Sequence, residues 1–533
     1  MSSSAAEIAD FQPSRRFYVA FGSLCVVILA AALDATSLST ALPIISHSIH
    51  GSAIEAFWAG TSFLLTSTVC QLTFGSLSQS FGRKDLILLS LILFTIGSIV
   101  AAVAKDFTTL LIGRSVQGAG GGGIISLTEV VITDLVPLRH RGTWFGYQSA
   151  VWAIGSVNGP VIGGALAEAA SWRWIFWINL PICAVGFVMT VWFLQLKRVP
   201  GGFVSKLVHF DWVGASFLTA SSTALLVAIS RGNVMYPWSS WHTIVPLVLG
   251  VLGLVGFVAY EATIAKDPII RLAIFRHRTA LVSYLGTCIH GILLWCLLYY
   301  LPLYYECVKG YNAIVAGVGV FPETFTVAPA SIVVGVLVTK YGRYRWAIWS
   351  GWILSTLGLG LLYLLGVGTS IPAWVFMNLV TGLGLGMLYS SLGYAIQTAA
   401  EEKDVAYAAS MYTFSRSFGQ SIGVAIGGAI FQAQFAIKLK AYPLLASDAD
   451  QLSKDASSLV ETVKAMDPRS LEKTMIIEAY ADSLKVVWAT MAGLAFLGLL
   501  TSVFTEELTV DRAQESQQQL QEKKPLANEE MLI

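Results

Sequence analysis

The chain has 533 residues, 55% of them hydrophobic and only 12% charged, where a soluble domain carries roughly 25% charge. A net charge of +1 offers no basic surplus for a nucleic-acid partner, and this much apolar surface over so long a chain needs lipid as its solvent. The six cysteines, Cys25, Cys70, Cys183, Cys288, Cys296 and Cys307, have no paired spacing, which argues against a disulfide framework or a zinc site.

The N-terminal tail, residues 1–16, is polar and shows no small-residue cleavage site, so the first apolar run is read as retained. In lipid an apolar run of about 20 residues must be helical, because nothing else satisfies its backbone. Fourteen such runs lie near 17–42, 56–78, 86–104, 108–133, 146–166, 174–196, 211–230, 243–262, 279–301, 312–338, 347–366, 372–397, 405–435 and 483–505. The predicted fold is an all-α polytopic membrane protein. It has a six-helix half over 17–200, an inserted helix pair over 211–262 and a second six-helix half over 279–505. A long outer loop occupies about 436–482, and the polar tail 506–533 reads as disordered.

Basic residues orient the chain. One set of short loops holds fifteen, including Arg83, Lys84, Arg139, Arg141, Arg198, Arg271, Arg278, Lys340, Arg343 and Lys403. The opposite short loops hold only Lys105, Arg173, Arg231 and Lys309, so the first set is cytoplasmic, with both termini beside it.

Several motifs repeat between the halves. After span two comes Gly75-Ser76-Leu77, then Gly82-Arg83-Lys84; after span ten comes Gly335-Val336-Leu337, then Gly342-Arg343. Span five carries Gly155, Gly159, Pro160, Gly163 and Gly164, and span thirteen carries Gly419, Gly423, Gly427 and Gly428 at the same spacing. Gly118 to Gly123 on span four match Gly382, Gly384 and Gly386 on span twelve. One stripe of glycines is ordinary close packing between helices. Three stripes in register point to two parallel halves with a substrate site between them.

Gly155-Ser156-Val157-Asn158-Gly159-Pro160-Val161-Ile162-Gly163-Gly164 resembles the antiporter motif of the major facilitator superfamily. Leu33-Asp34-Ala35-Thr36 through Ala41-Leu42-Pro43, Leu111-Ile112-Gly113-Arg114-Ser115-Val116-Gln117-Gly118 and Trp172-Arg173-Trp174 through Asn179-Leu180-Pro181 resemble further motifs of its fourteen-spanner drug:proton antiporter branch, in fungal form. The resemblance runs from about Leu33 to Phe504. It implies proton-coupled efflux of small amphipathic organic compounds (drugs, toxins or secondary metabolites) by a monomer in the cell membrane. A vacuolar or other internal membrane is the alternative location. Related fungal fourteen-spanners import iron-siderophore complexes or exchange glutathione, and these stand as alternative functions. The chain departs from the family at Gln79, where an aspartate is usual.

Charged groups in the bilayer cost at least ~2.5–3.5 kcal/mol each on insertion scales, so each needs a partner or a task. Asp34 in span one and Arg114 in span four lie at similar depth, and the resemblance places proton coupling on them. Glu323 follows Pro322 in span ten, with Pro329 beyond, a pattern that favours a broken helix lining a cavity and adds Glu323 to the proton-coupling candidates. Candidate cavity residues are Gln148, Asn158, His290, Tyr299, Tyr389 and Arg416. Glu129 and Glu261 lie near the cytoplasmic interface and are expected to be solvated.

The glycines at 118–123 are followed by no Gly-Lys-Ser/Thr and lie inside a span, which argues against an ATP-driven pump. No nucleophile elbow or metal-ligand cluster is present, so an enzyme is not expected and no cofactor is called for.

Overall fold

The computed structural model describes residues 11–38, 41, 44–45, 48–49, 53–197, 199–232, 235–454, 456–511 and 520. Leu42 and Pro43 of the first motif, Arg198 and nearly all of the tail beyond 511 lie outside the described residues.

Long helices occupy each of the fourteen expected positions among the described residues. The first group comprises α1 (Arg15–Ser37), α2 (Ala53–Phe81), α3 (Arg83–Ala102), α4 (Phe107–Leu135), α5 (Arg141–Ala169) and α6 (Asn179–Phe193). Then come α7 (Trp212–Arg231) and α8 (Trp241–Thr263). The second group comprises α9 (Arg278–Leu303), α10 (Phe321–Tyr341), α11 (Arg345–Leu362), α12 (Ile371–Ala399), α13 (Val405–Lys440) and α14 (Leu471–Ser502). Eleven are long and apolar enough to cross a membrane; α2, α4 and α11 are not. In α2 and α4 the reason is composition, with many Ser, Thr and Gly and in α4 Arg114; α11 is only 18 residues long and begins at Arg345.

Local chemistry sets the helix ends. The side chains of Ser14, Asp106 and Asp211 accept the amides of Phe17, Thr109 and Gly214, satisfying first-turn donors of α1, α4 and α7. The turns α2–α3 and α10–α11 pass through Gly82 (φ 105°) and Gly342 (φ 70°), a backbone region that disfavours any side chain. These are matching glycines of the predicted repeat. Span ten is broken as its prolines suggested: a short helix Ala313–Gly319 ends, and α10 restarts at Phe321 with Pro322 in its first turn.

The two groups pack alike. In the first, α4 lies against α2 and α3, and α5 against α1; in the second, α12 lies against α10 and α11, and α13 against α9. The glycines make this possible. A Cβ on Gly118 would strike the Phe63 backbone, and one on Gly382 the Glu323 backbone; Gly163 presses on the Ser37 carbonyl, Gly423 on Ile292. The groups meet along two seams, α5 with α10 and α2 with α13. Helix α7 lies against both α2 and α13, while α8 touches mainly α7. On α3, Leu89, Ile92, Ile96 and Ile99 form an exposed apolar stripe at helical spacing, as lipid contact requires.

Two expectations need correcting. The stretch 436–482 is no open loop: α13 runs on to Lys440, helices Ala449–Lys454 and Ala456–Ala465 follow, and α14 starts at Leu471. Leu445, Leu459, Val460 and Val463 are buried against the second group, so apolar burial holds this cap in place. The tail is ordered through Asp511. Val510 is fully buried, the Tyr344 hydroxyl donates to the Glu506 carbonyl at 2.9 Å, and Asp511 pairs with Arg139 at 2.9 Å. Polar composition had hidden these anchoring contacts.

Candidate functional site

Asp34 sits one turn from the C-terminal end of α1 and is 1% exposed. Its Oδ2 accepts Arg114 Nη1 at 2.5 Å, and its Oδ1 accepts Gln117 Nε2 at 2.7 Å and Asn179 Nδ2 at 2.8 Å. Arg114 also donates to the Ala59 carbonyl at 3.1 Å and to Gln117 Oε1 at 2.6 Å, and lies over the Phe63 ring at 4.6 Å. Gln117 reaches Ser98 Oγ at 2.8 Å. Helices α1, α2, α3, α4 and α6 thus converge on one buried carboxylate–guanidinium pair. Removing either charge would strand the other, at a cost of about 3–5 kcal/mol. The sequence reading missed Gln117, Asn179 and Ser98, although Gln117 lies one turn beyond Arg114 and Asn179 belongs to a quoted motif.

Glu323 is also 1% exposed, but the structure does not bring it to Arg114. It lies in the first turn of α10, where Oε2 accepts Thr324 Oγ1 at 3.0 Å and Oε1 has no protein partner. In the same group, Asn378 donates to Tyr305 Oη at 2.6 Å and His290 Nε2 lies 3.0 Å from the Leu385 carbonyl.

A second buried ion pair crosses between the groups. Arg416 on α13 donates to Glu129 Oε1 on α4 at 2.5 Å and to Tyr412 Oη at 3.0 Å, and lies 4.2 Å over the Tyr389 ring. Glu129 is not solvated as expected, because it faces α13 rather than the bundle surface. Glu261 is buried too, turned back to accept the Ile269 amide at 3.2 Å.

Just beyond this pair a small cavity opens between the groups, lined by Phe63, Ser67 and Trp152 from one and Trp295, Ser417 and Gln420 from the other. The predicted cavity residues do not line it. Gln148 is buried and donates to Thr128, His290 faces α12, and Tyr389 and Arg416 lie below, around Glu129. Asn158 is exposed, with its amide on the Ile154 carbonyl, and Tyr299 is 39% exposed. Helical periodicity does not distinguish a side chain facing the central seam from one facing a neighbour in its own group.

The basic-loop end is closed. Arg83, buried, takes Asp134 at 3.0 Å and Ser78 Oγ at 2.6 Å, so a carboxylate from α4 meets the motif where the family's usual aspartate is Gln79. Its counterpart Arg343 is exposed. Helix α5 is clamped to α10: Gly335 abuts the Gly142–Thr143 backbone, and Arg139 Nε donates to the Thr339 carbonyl at 2.6 Å. Gly142 N donates to Tyr394 Oη at 2.9 Å, and Arg141 Nη1 to Gln397 at 2.9 Å. In the adjoining loop, burial lowers the Arg271 pKa, but Asp404 at 2.8 Å and Tyr407 more than offset this, leaving it above its ordinary value. Among the described residues no group of three His, Cys, Asp or Glu could hold a metal ion.

Comparison with known proteins supplies the family. The sequence profile described as Major Facilitator Superfamily matches residues 24–424. The chain is 50% identical to "MFS transporter L2" of Phoma sp., covering 99% of this chain and 89% of that one. It is 36% identical to "Efflux pump FUS6" of Gibberella fujikuroi, covering 97% and 94%. The solved proton:xylose symporter XylE superposes with a TM-score of 0.57 at 14% identity, over 94% of this chain and 98% of that one, a likeness of fold alone. Two groups of helices joined by a repeat, closed at one end around a cavity, match that assignment: the chain belongs to the Major Facilitator Superfamily and is a multi-pass membrane transporter of small compounds.

Proposed function

We propose that this transporter exports small amphipathic organic compounds, of the drug, toxin or secondary-metabolite kind, in exchange for entering protons. On this reading all fourteen helices cross the membrane, the more polar α2 and α4 and the short α11 included, the basic loops and both termini are cytoplasmic, and the monomer is the working unit in the cell membrane. The two six-helix halves rock about the central cavity, with α7 and α8 as an insert beside the α2–α13 seam. The observation that carries the reading is the Asp34–Arg114 network. It is a buried carboxylate at the end away from the basic loops, in a protein closed at the basic end. A proton arriving from outside would neutralise Asp34 and release Arg114, which ties protonation to helix rearrangement. Aromatic and hydroxyl side chains around the cavity suit an uncharged or weakly charged organic substrate. Relatives named as efflux pumps support the outward direction.

The energy is sufficient. A proton crossing ~100 mV supplies about 2.3 kcal/mol, and one pH unit adds about 1.4 kcal/mol. Together these sustain roughly a 500-fold gradient of a neutral substrate. The segment with helices Ala449–Lys454 and Ala456–Ala465 is the feature that favours the alternative of siderophore import, since it is long enough to help dock a large chelate. Flux of a labelled candidate compound in deletion and overexpressing strains separates the two. Export predicts that deletion raises intracellular substrate and sensitivity to it; accumulation that rises with expression overturns export.

A further inference from the structure

We propose that Glu129 and Arg416 form the cytoplasmic latch of the transport cycle, a pair made when the basic-loop end is closed and broken once per turnover. The inference rests on the alternating-access reading above. Three observations place the latch. First, the two residues come from opposite groups, Glu129 on α4 and Arg416 on α13, and each is at least nine-tenths buried. Separating the groups at this end must therefore pull them apart. Second, the pair adjoins the cavity without lining it. Ser417, the next residue after Arg416, lines the cavity, accepts Gln71 Nε2 at 2.8 Å and offers its carbonyl to Thr68 Oγ1 at 3.4 Å, both from α2. Third, the partners are unequally held. Arg416 keeps Tyr389 and Tyr412, both from its own group, whereas Glu129 Oε2 has no protein partner. On opening, the guanidinium stays in its tyrosine cradle, now facing the aqueous path, and Glu129 is hydrated. Water replaces the lost ion pair on both sides, so a buried pair that is costly to break in place becomes reversible during opening. The sequence alone offered no sign of this, because the pairing exists only once the groups are assembled.

The test reads which side of the membrane reaches the cavity. A single cysteine is introduced at Gln420, and a membrane-impermeant thiol reagent is applied to either face of sealed vesicles, with the protein lacking Q420C as background. In E129Q, labelling from the basic-loop face should rise about tenfold, a shift of ~1.4 kcal/mol in the two-state balance, while labelling from the opposite face falls. R416Q should shift in the same direction, and the double variant no further than the singles, because one contact is being removed. The latch is overturned if E129Q labels as the parent does on both faces, or if the two single shifts add. Should R416Q fail to fold, E129Q alone decides. The parent supplies the separate check on alternating access: its labelled face must change when substrate or a pH gradient is imposed. A parent that switches beside an E129Q that labels normally sinks the latch alone; a parent that never switches sinks the transport reading.

Discussion

The two helix groups share one scaffold and differ in where they place charge. Arg114 stands four residues before Gly118, and the matching position before Gly382 is Asn378. Phe63, whose ring lies under Arg114, corresponds to Glu323, since Gly118 meets the Phe63 backbone as Gly382 meets that of Glu323. The first group thus has a base over an aromatic ring, paired with Asp34; in the second the matching positions hold a carboxylate bonded to Thr324 and a neutral amide bonded to Tyr305. Packing is fixed by glycines pressed against backbone, a contact indifferent to neighbouring side chains. The chemistry was therefore free to diverge between the groups while the helices kept their places.

The comparison breaks most sharply at Asp34. Asp34→Asn should leave the protein in the membrane but lower gradient-driven transport by about 100-fold or more, since an unpaired Arg114 is left behind. Glu323→Gln, which breaks no ion pair, should reduce it less. Proteoliposomes with an imposed pH gradient measure both, and D34N that still follows the gradient would remove Asp34 from coupling. The shared scaffold is tested next. Gly163→Leu and Gly423→Leu should both abolish transport, because each side chain would enter a backbone carbonyl, of Ser37 and Ile292 respectively. Gly159→Ala should be milder, at about 1–3 kcal/mol, because its nearest neighbour is the Thr36 hydroxyl. Thermal unfolding in detergent ranks the three; equal behaviour of leucine and glycine at 163 would show no tight seam there. Smallest is the tail. Asp511→Asn removes a half-exposed pair with Arg139 and should cost under about 1 kcal/mol. Val510→Asp places a charge at a buried site and should cost more, which the same unfolding assay resolves.

Much of this architecture is legible in the chain. Apolar runs locate the helices, the glycine register reveals the repeat, and matched depth anticipates that Asp34 and Arg114 meet. Proline placement anticipates the break before Glu323. What stayed hidden depends on assembly. Glu129 looked interfacial because position along a helix gives depth but not facing, and its partner is on the other group. Asp134, which receives Arg83 at the Gln79 motif, is far from that motif in sequence. Residues 506–511 read as unstructured because one buried valine and a few ion pairs leave no periodic trace.

Helix α5 is held at two places by different means. Toward its far end Gly155, Gly159 and Gly163 fuse it to α1 within its own group; at its start Gly142 and Gly146 rest on Tyr394 and Ile332 of the other. The first attachment lies within one group, and the second joins the two groups. On the alternating-access reading proposed above, helix α5 would travel with α1 and part from α10, with Pro160 in its interior as its point of least stiffness. The bend available at Pro160 would then set how much of a movement along α1 reaches the contact with α10.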